Sequence, residues 1–337
     1  MVEVVDRIGH VDPAEWDAAV DALRLPVFYS HAFLTAYEND PLAEVDAVVY
    51  LMVRRRGEAG PPVAVLPAYL HRRSDPLGCL GIAYPEAAGE PALLSHSWHC
   101  YDAHLGGPEA GPALAAAAMS ALRGVARELG VPWCGLVNVR HGGATAGALT
   151  GAGLPIRPLT ARFVADLTGV TGLDGFLAGR ARPRAAINLR RYRRRAAEHG
   201  VRCAVLPVHD ADLAGAVALC DRLASRYGSD RFYPAGTFER FVTALGPSAV
   251  VLEIRQGDRL VATGVCLVDD RSFHSWAAGA DYEVDGNFSP YSVLFAETVE
   301  LAVRLGRPTF EGGRGNPAFK LRHGLTPRPL DACLVAS

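Results

Sequence analysis

The sequence predicts an α+β protein that consists of two related domains. Its 337 residues, of which 50% are hydrophobic and 21% charged, suffice for roughly two domains of ~150 residues with cores of their own. This composition excludes a disordered chain, a coiled coil and a small disulfide-stabilised protein. Each half also shows the same order of patterns: helices, antiparallel strands, a helix and a strand. Because the Gly-rich stretch 142–158 is typical of a loop, we expect domains at 1–150 and 151–337.

The first half begins with a strand-like run and two helices that carry their own start signals. Asp12 and Pro13 are typical of a helix start, and Ser30 can cap a second helix. Alternating apolar residues then predict two strands joined as a hairpin. In chain order we predict a strand at 2–8, helices starting at 12 and covering 30–38, strands at 46–54 and 63–70 around the loop 55–62, a helix at 112–130 and a strand at 133–139.

The second half repeats this order. A long helical stretch follows its first strand and is expected to break near Pro183, and Gly306 is typical of a helix end. In chain order we predict a strand at 162–167, helices within 174–200, at 210–227 and at 237–245, a hairpin of strands 249–255 and 260–269, a strand at 273–280, a helix at 289–305 and a strand at 309–311.

Cysteine usage and hydropathy indicate a reducing compartment and no membrane segment. The seven cysteines are an odd number and form no CxxC pair, which favours free thiols over a disulfide framework. No stretch of about 18 apolar residues lacks charges, and the first residues form no basic and apolar leader. We therefore expect a cytoplasmic protein.

Lysine is almost absent from the chain. Lys320 is the only lysine beside 33 arginines. A bias towards GC-rich codons explains the arginines, but it does not explain why one lysine is kept.

A cluster of arginines predicts a binding site for a polyanion. Residues 180–202 hold nine arginines and one acid, although the whole chain has a net charge of −2. A helix over 184–199 would have a narrow apolar stripe formed by Ala186, Leu189 and either Ala196 or Ala197. Arginine binds phosphates through paired hydrogen bonds, so a nucleotide, a CoA pyrophosphate or an RNA backbone would fit. The alternative is a solvated face that pairs with acids elsewhere in the chain.

A glycine-rich loop near the C-terminus leads to the single lysine. A predicted strand ends at Glu311, and the loop Gly312-Gly313-Arg314-Gly315 precedes Phe319-Lys320. Glycines let a backbone approach a ligand closely, and their N–H groups can face an anion. A lysine beside such a loop could bind a phosphate or stabilise an oxyanion, although a simple turn is the commoner explanation of this spacing.

Residues 95–104 combine histidines, a cysteine, a tryptophan and an aspartate. In an extended conformation, alternate side chains would lie about 7 Å apart, which is too far for a tetrahedral zinc shell, so we predict no metal site. An acceptor pocket lined by His96 and Trp98 is the favoured interpretation, and an ordinary strand is the alternative. His99, Asp102 or His104 could then accept a proton from an attacking amine. Asp281, Tyr282 and Glu283 are rival bases, and Tyr282 is also a candidate pocket residue.

The motif of an acid, a glycine loop, an aromatic–lysine pair and a later ring residue resembles the closing motif of the Fem-like acyltransferases of the GNAT superfamily. The arginine helix is similar to the basic helix of that family's second domain, and Ser289-Pro290-Tyr291 before a long helix resembles its core. The resemblance implies two tandem GNAT-like domains, the first on the acceptor side and the second on the donor side. It implies transfer of an acyl or aminoacyl group to an amine, as in peptidoglycan bridges or natural products.

The resemblance also implies roles for individual residues. Lys320, paired with Phe319, would contact the transferred carbonyl. The pocket would include three residues of the core motif: Ser289, Tyr291 and Glu311. Donor phosphates would bind to basic and loop residues, namely Arg190, Arg191, Arg194, Arg195, Gly313, Arg314 and Gly315. The chain departs from the family in having His323 where an aromatic residue is common, and in lacking an inserted coiled-coil arm.

The donor is predicted from the turn before the second-domain helix. CoA-dependent GNAT enzymes bind pyrophosphate on a glycine turn at a helix N-terminus, whose N–H groups face the anion. The matching turn here, 284–291, lacks that pattern, carries Asp285 and contains Pro290. We therefore favour aminoacyl-tRNA as donor and a small amine as acceptor, without a metal or redox cofactor. The alternatives are an acyl-CoA-dependent N-acyltransferase and a non-catalytic RNA- or phosphate-binding module.

Overall fold

A computed structural model describes residues 2–54, 61–73, 75–107, 110–226, 228 and 232–337. The chain divides into two compact units, one formed by Met1–Ala161 together with Arg328–Ser337 and the other by Arg162–Pro327. Sequence analysis placed the joint at residue 150, whereas this division falls within a strand and returns the last ten residues to the first unit. The strand that contains the division covers Arg157–Asp166. Because a strand continues from one unit into the other, no glycine-rich or polar loop marks the boundary in the sequence.

The first unit is a mixed sheet with flanking helices. Its sheet has the strand order β1-β2-β3-β4-β5-β12, in which β4 and β5 are parallel and the other neighbours antiparallel. The strands are β1 (Val2–Val5), β2 (Val45–Val53), β3 (Ala64–His71), β4 (Ala92–Ser95), β5 (Trp133–Arg140) and β12 (Thr326–Ala336). The helices are α1 (Pro13–Ala22), α2 (His31–Asn39), α3 (Leu80–Ala83), α4 (Pro112–Glu128) and α5 (Ala144–Gly151).

Local sequence signals account for most helix ends in this unit. The Asp12 carboxylate accepts a hydrogen bond from the Glu15 N–H at 2.9 Å, and the Ser30 hydroxyl accepts one from the Phe33 N–H at 3.2 Å. Both caps satisfy N–H groups that a helix leaves without partners. Helix α4 is amphipathic, and its buried stripe packs on the core of β2–β5.

The second unit has the same kind of sheet. Its strand order is β6-β11-β10-β9-β8-β7, in which β10 and β11 are parallel and the other neighbours antiparallel. The strands are β6 (Arg157–Asp166), β7 (Val201–Pro207), β8 (Ala249–Gln256), β9 (Arg259–Val268), β10 (Ser272–Ala280) and β11 (Thr309–Glu311). The helices are α6 (Leu173–Leu177), α7 (Pro183–Glu198), α8 (Leu213–Arg226), α9 (Thr237–Ala244), α10 (Pro290–Arg304) and α11 (Pro317–Arg322).

The predicted α+β class, with a mixed and mainly antiparallel sheet flanked by helices in each domain, is confirmed. The break before Pro183 is present, because α6 ends at Leu177 and α7 begins at Pro183. The stretch 142–158 is not a loop, since α5 forms there and buries Leu149 and neighbouring small residues. Most of the predicted hairpin loop 55–62 lies outside the described residues. Among those residues, no helix combines the length and the apolar character needed to cross a bilayer.

A close backbone approach in the second unit gives a test of the packing. A Cβ atom added at Gly279 in β10 would lie 2.3 Å from the backbone carbonyl carbon of Leu219 in α8. Backbone cannot yield as a side-chain tip can, so Gly279→Ala is expected to lower the free energy of unfolding by about 3 kcal/mol or more. Denaturant titration measures this, with Gly124→Ala in α4 as control.

Gly124 lies inside a helix, and a methyl group added there would have no atom within 4 Å. Its replacement by alanine should be neutral or stabilising by about 0.5–1 kcal/mol, because glycine loses more backbone entropy on helix formation. If Gly279→Ala is as well tolerated as Gly124→Ala, the β10–α8 contact is not as close as described.

Candidate active site

The glycine loop is fixed to strand β6 by two backbone hydrogen bonds. The Gly312 N–H donates to the Phe163 carbonyl at 2.8 Å, and the Phe163 N–H donates to the Gly313 carbonyl at 3.0 Å. A Cβ at position 312 would lie 2.4 Å from Cδ2 of Leu325 and 3.6 Å from Cε of Lys320. A residue without a side chain is therefore what lets the loop pass this close to the lysine.

Helix α11 follows the loop and orients the aromatic–lysine pair. Asn316 adopts the left-handed conformation (φ 51°), and its side chain accepts a hydrogen bond from the Phe319 N–H at 3.4 Å. Asparagine tolerates this conformation better than most residues and caps helices well. The helix therefore starts at Pro317. Both Phe319 and Lys320 of this short helix are buried.

The side chain of Lys320 is held in an apolar environment. The residue is only 4% exposed, and its Nζ lies 5.7 Å from the centre of the Phe163 ring. Within the described part of the chain, Nζ has no hydrogen-bond or ion-pair partner. The pKa of Lys320 is lowered to about 7, mainly by burial and to a smaller extent by the Arg314 guanidinium, and Glu311 opposes these two effects. Near neutral pH the group therefore exists both as ammonium and as amine.

Glu311 and Arg162 form a buried ion pair at the end of β11. The Arg162 guanidinium donates to the Glu311 carboxylate, and both side chains are almost completely buried. Glu311 pairs with Val164 of β6 and with His274 of β10 in the sheet, so its strand lies between those two strands. Because Arg162 already neutralises it, Glu311 compensates the charge of Lys320 only in part.

Aromatic rings surround Phe319 on the other side of α11. The ring centres of Phe319 and His323 are 3.9 Å apart, and Tyr291 and Phe295 lie at 5.0 and 5.2 Å from Phe319. Burial is the main reason that the pKa of His323 is lowered, with a smaller contribution from Arg322, although the Phe319 carbonyl opposes it. The structure thus places two of the predicted site residues, Phe319 and Tyr291, against each other and adds His323.

A cavity of 670 Å³ opens between α7, α10 and α11. Its walls are formed by Phe319 and His323 of that aromatic group, the start of α10 and the first turns of α7. The lining residues are Arg182, Arg184, Ala185, Asn188, Leu189, Tyr192, Ser289, Ser292, Phe319, Arg322 and His323. Ser289, a predicted pocket residue, caps α10 by accepting a hydrogen bond from the Ser292 N–H at 3.3 Å. The volume is within the range of about 300–1,000 Å³ typical of small-molecule sites.

The arginines predicted to bind phosphate lie elsewhere on α7 and largely face acids. Arg190 pairs with Asp174 at 2.7 Å, and Arg194 approaches Glu198 at 3.5 Å. The two arginines line a second cleft of 390 Å³, and Glu297 lines it too. Arg195 donates to the Asn287 carbonyl at 3.0 Å, and Arg191 stacks on Tyr192 at 5.2 Å. Helix α7 buries the predicted apolar stripe, which is completed by Ala196 rather than Ala197.

Three arginines that sequence analysis did not select line the larger cavity. These are Arg182, Arg184 and Arg322. A count of charges along one helix could not separate them from their neighbours, because only the tertiary structure shows which guanidinium groups meet a carboxylate. Two of the predicted loop residues, Gly313 and Gly315, keep N–H groups for which the described residues supply no acceptor.

The predicted acceptor residues of segment 95–104 all belong to the first unit. His96, Trp98 and His99 are buried, whereas Asp102 and His104 are half-buried. The His96 Nε2–H donates to the Phe28 carbonyl at 2.9 Å, and burial lowers the pKa of His96 to about 3, more than the Phe28 carbonyl raises it. Tyr37 and His99 approach each other at 3.4 Å between the hydroxyl and Nδ1.

Two of the three rival bases, Asp281 and Tyr282, are engaged by arginines. No described group of three or more His, Cys, Asp or Glu side chains is arranged to hold a metal ion. Asp281 is engaged by Arg259 at 2.7 Å, and its pKa is lowered because this contact, the Arg222 charge and the Glu283 N–H outweigh the opposing effect of burial. Tyr282 is exposed under the guanidinium of Arg226.

Residues 183–321, which include α7, the glycine loop and Lys320, match the family of acetyltransferase (GNAT) domains. This part of the chain is a GNAT-type acyltransferase domain. The fold of the chain is similar to that of FemX, with a TM-score of 0.64 and 10% identity over 98% of this chain and 96% of that chain. No curated protein matches the chain by sequence.

Two further solved structures resemble this chain over nearly its whole length. A tandem GNAT protein from the clavulanic acid biosynthesis pathway has a TM-score of 0.55 and 13% identity, over 100% of this chain and 98% of that chain. L-PGS from Bacillus licheniformis has a TM-score of 0.58 and 12% identity, over 96% and 91%. At these identities the likeness establishes the fold, and the predicted fold class of two tandem GNAT-like domains is confirmed.

The lowered pKa of Lys320 predicts how stability depends on pH. Between pH 7 and 10 the unfolded chain holds a proton on this lysine that the folded protein has released, so the stability of the wild type rises with pH. Lys320→Met removes this contribution. We expect the variant to be the more stable protein at pH 7, with the difference shrinking by about 1 kcal/mol per pH unit towards pH 10.

Urea titration of both proteins at several pH values measures this difference. Arg7→Met, which removes an exposed charge, is the control and should give a difference that does not change with pH. A Lys320→Met variant that is less stable than the wild type at every pH would show that the ammonium is well solvated or paired.

Proposed function

We propose that this protein is a GNAT-type acyltransferase that forms an amide by moving an aminoacyl group from aminoacyl-tRNA to the amine of a small-molecule or peptide acceptor. The single observation that supports this most is the buried Lys320 beside the glycine loop, inside the matched GNAT domain. A desolvated ammonium placed where negative charge develops stabilises that charge far more than one in water. The proposed donor is made in the cytoplasm, in keeping with the expected location.

The reaction that fits these groups is attack of a neutral amine on the ester carbonyl of the donor. A C–N bond forms, and the carbonyl oxygen becomes a tetrahedral oxyanion. Lys320 as ammonium, together with the N–H groups of Gly313 and Gly315, would bind this oxyanion. The C–O bond to the ribose then breaks, the carbonyl reforms, and the amine's proton passes to the departing ribose oxygen.

The start of α10 favours this donor over acyl-CoA. Pro290 has no N–H, and the Ser292 N–H is taken by the Ser289 hydroxyl, so the helix N-terminus offers few free groups to a pyrophosphate. Acyl-CoA-dependent N-acyl transfer remains the alternative reaction, and binding of RNA or phosphate without catalysis is the alternative outside enzymology.

Replacement of the lysine tests the proposed role. Lys320→Ala is expected to lower the rate of single-turnover aminoacyl transfer about 10²–10³-fold, because one oxyanion contact is lost. Its affinity for the charged tRNA should stay within about twofold, because the lysine is not at the phosphate site. Charged tRNA and acyl-CoA are each offered with a mixed pool of amines, and consumption of only the CoA thioester would contradict the donor. Consumption of neither would favour the non-catalytic alternative.

The pH dependence separates an ammonium from an amine at this position. With a pKa of about 7, Lys320 is protonated below neutral pH and neutral above it. If the ammonium stabilises the oxyanion, kcat/KM of the wild type should decrease as the pH rises from 7 to 9, and Lys320→Ala should lack this decrease. An increase over the same range that depends on Lys320 would instead make its neutral amine the general base and contradict the oxyanion role.

A further inference from the structure

The surroundings of Lys320 favour a neutral or a negative group at the end of its side chain. Burial is the main reason that the pKa of Lys320 is lowered, and the charge of the half-buried Arg314 lowers it more than the charge of Glu311 raises it. Glu311 is itself paired with Arg162, and both of these side chains are buried. An ammonium at this position loses contact with water and gains a positive neighbour, and both effects are unfavourable.

The nitrogen of Lys320 is accessible to a small molecule, although the residue is only 4% exposed. Nζ forms no hydrogen bond or ion pair with a described residue, and it is not among the fully enclosed nitrogen atoms of this part of the chain. The ring of Phe163 lies beside it, with its centre 5.7 Å away. Near neutral pH a large fraction of this amine is neutral, because its pKa is about 7, and a neutral amine is a nucleophile.

The glycine loop next to the lysine supplies hydrogen-bond donors for an anion. Gly312 allows the close approach, since a Cβ at this position would lie 3.6 Å from Cε of Lys320. Gly313, with a φ of 72°, and Gly315 keep N–H groups for which the described residues supply no acceptor. Successive N–H groups in a loop with left-handed residues form concave sites for anions. A negative group attached to Nζ would therefore have these donors and the charge of Arg314 nearby.

We infer that Lys320 reacts with carbon dioxide and is reversibly converted to a carbamate. The lone pair of the neutral amine attacks the carbon of CO₂, a C–N bond forms, and the electron pair of one C–O π bond moves to its oxygen. The nitrogen then loses one proton to water. The products are a lysine carbamate with one negative charge and one proton in solution, so atoms and charge balance without a further reactant.

Carbamate formation exchanges a group that this position disfavours for one that it favours. An ordinary lysine is almost entirely protonated near neutral pH and has no lone pair with which to react. At Lys320 the amine is available, and the carbamate that it forms places its negative charge beside Arg314 and the loop N–H groups. Because CO₂ is small and uncharged, it can enter a site that excludes larger or charged reagents.

The carbamate would also regulate the proposed acyl transfer. Its formation depends only on the surroundings of Lys320, whereas this consequence rests on the proposed function. A carbamate removes the ammonium and places a negative charge where the oxyanion develops, so transfer should stop while the modification lasts. Removal of CO₂ reverses the reaction and restores the amine and its ammonium form.

NMR spectroscopy of the intact protein tests the modification. Protein grown with lysine that carries ¹⁵N at Nζ is equilibrated with ¹³C-labelled bicarbonate and CO₂ at a pH slightly above neutral. Because Lys320 is the only lysine, a carbamate ¹³C signal that is split by a bonded ¹⁵N reports this residue alone. We expect this doublet to represent more than half of the protein and to disappear when CO₂ is removed with nitrogen gas.

Three variants serve as controls. Lys320→Met should lack the doublet, while an unsplit signal from the α-amino group persists. Arg314→Gln should lower the intensity of the doublet about fivefold or more, because it removes a favourable charge and leaves more of the amine protonated. Arg202→Gln, on the exposed strand β7, also removes a positive charge and should leave the intensity unchanged. Circular dichroism and thermal unfolding show whether each variant is folded.

A wild type that gives no doublet in saturating CO₂ overturns the proposal, and this result requires no variant to fold. If Arg202→Gln lowers the intensity as much as Arg314→Gln, the surroundings of Lys320 do not stabilise the carbamate, which also contradicts the proposal.

Acyl-transfer assays at constant pH, with and without CO₂, separate this inference from the proposed function. CO₂ is expected to lower the transfer rate of the wild type at least threefold in a reversible manner and to leave the residual rate of Lys320→Ala unchanged. If the doublet appears but no donor is used, the carbamate stands and the proposed function fails. If Lys320-dependent transfer proceeds without a doublet and without an effect of CO₂, the proposed function stands and the carbamate fails.

Discussion

An ammonium held almost entirely out of water is the constraint on which the rest of this site depends. Burying an unpaired charge is unfavourable, and the pKa of about 7 for Lys320 expresses that cost. Strand β6 supplies Phe163 beside the ammonium, and Gly312 leaves space for the lysine chain. The ion pair between Arg162 and Glu311 prevents the nearest carboxylate from compensating the charge fully. A lysine in this state can bind a developing anion strongly, because none of the described residues forms a hydrogen bond or an ion pair with its ammonium group.

The two sides of α11 have different chemistry. Phe319, Arg322 and His323 face the cavity with its charged rim, whereas Lys320 lies against Phe163 and the glycine loop. Ligand binding and charge stabilisation can therefore be altered independently by substitution. The same separation occurs on α7, where arginines that meet acids stabilise the unit and those at its first turns remain available.

Local patterns predicted most of the fold, since capping residues and alternation act over a few positions. The caps at Asp12 and Ser30 and the break at Pro183 are examples. Strand β7 was not predicted, because it lies at the sheet edge with an exposed and unpatterned sequence. Strand β12 divides its residues between the two units, and the small residues of α5 resemble a loop. These elements depend on contacts far apart in the chain.

In the candidate site, too, the sequence did not reveal residues that are brought together from distant parts of the chain. The loop and Lys320 were recognised because they are contiguous in sequence, whereas the cavity arginines come from two segments about 140 residues apart along the chain. Charge density alone pointed to α7, but it could not tell a guanidinium facing a carboxylate from one facing solvent. In the sequence, His323 was noted only because Fem-like acyltransferases commonly have an aromatic residue at this position. In the structure its ring lies 3.9 Å from the ring of Phe319 and lines the cavity.

The most direct test of the account is the titration of Lys320 itself. Because it is the only lysine, protein grown with isotopically labelled lysine gives a single side-chain NMR signal, which can be followed from pH 5 to 11. The account predicts a midpoint near pH 7, with the ammonium form favoured again when an oxyanion analogue binds. A midpoint near 10.5, unchanged by such an analogue, would show that the lysine is solvated and would contradict its role in acyl transfer.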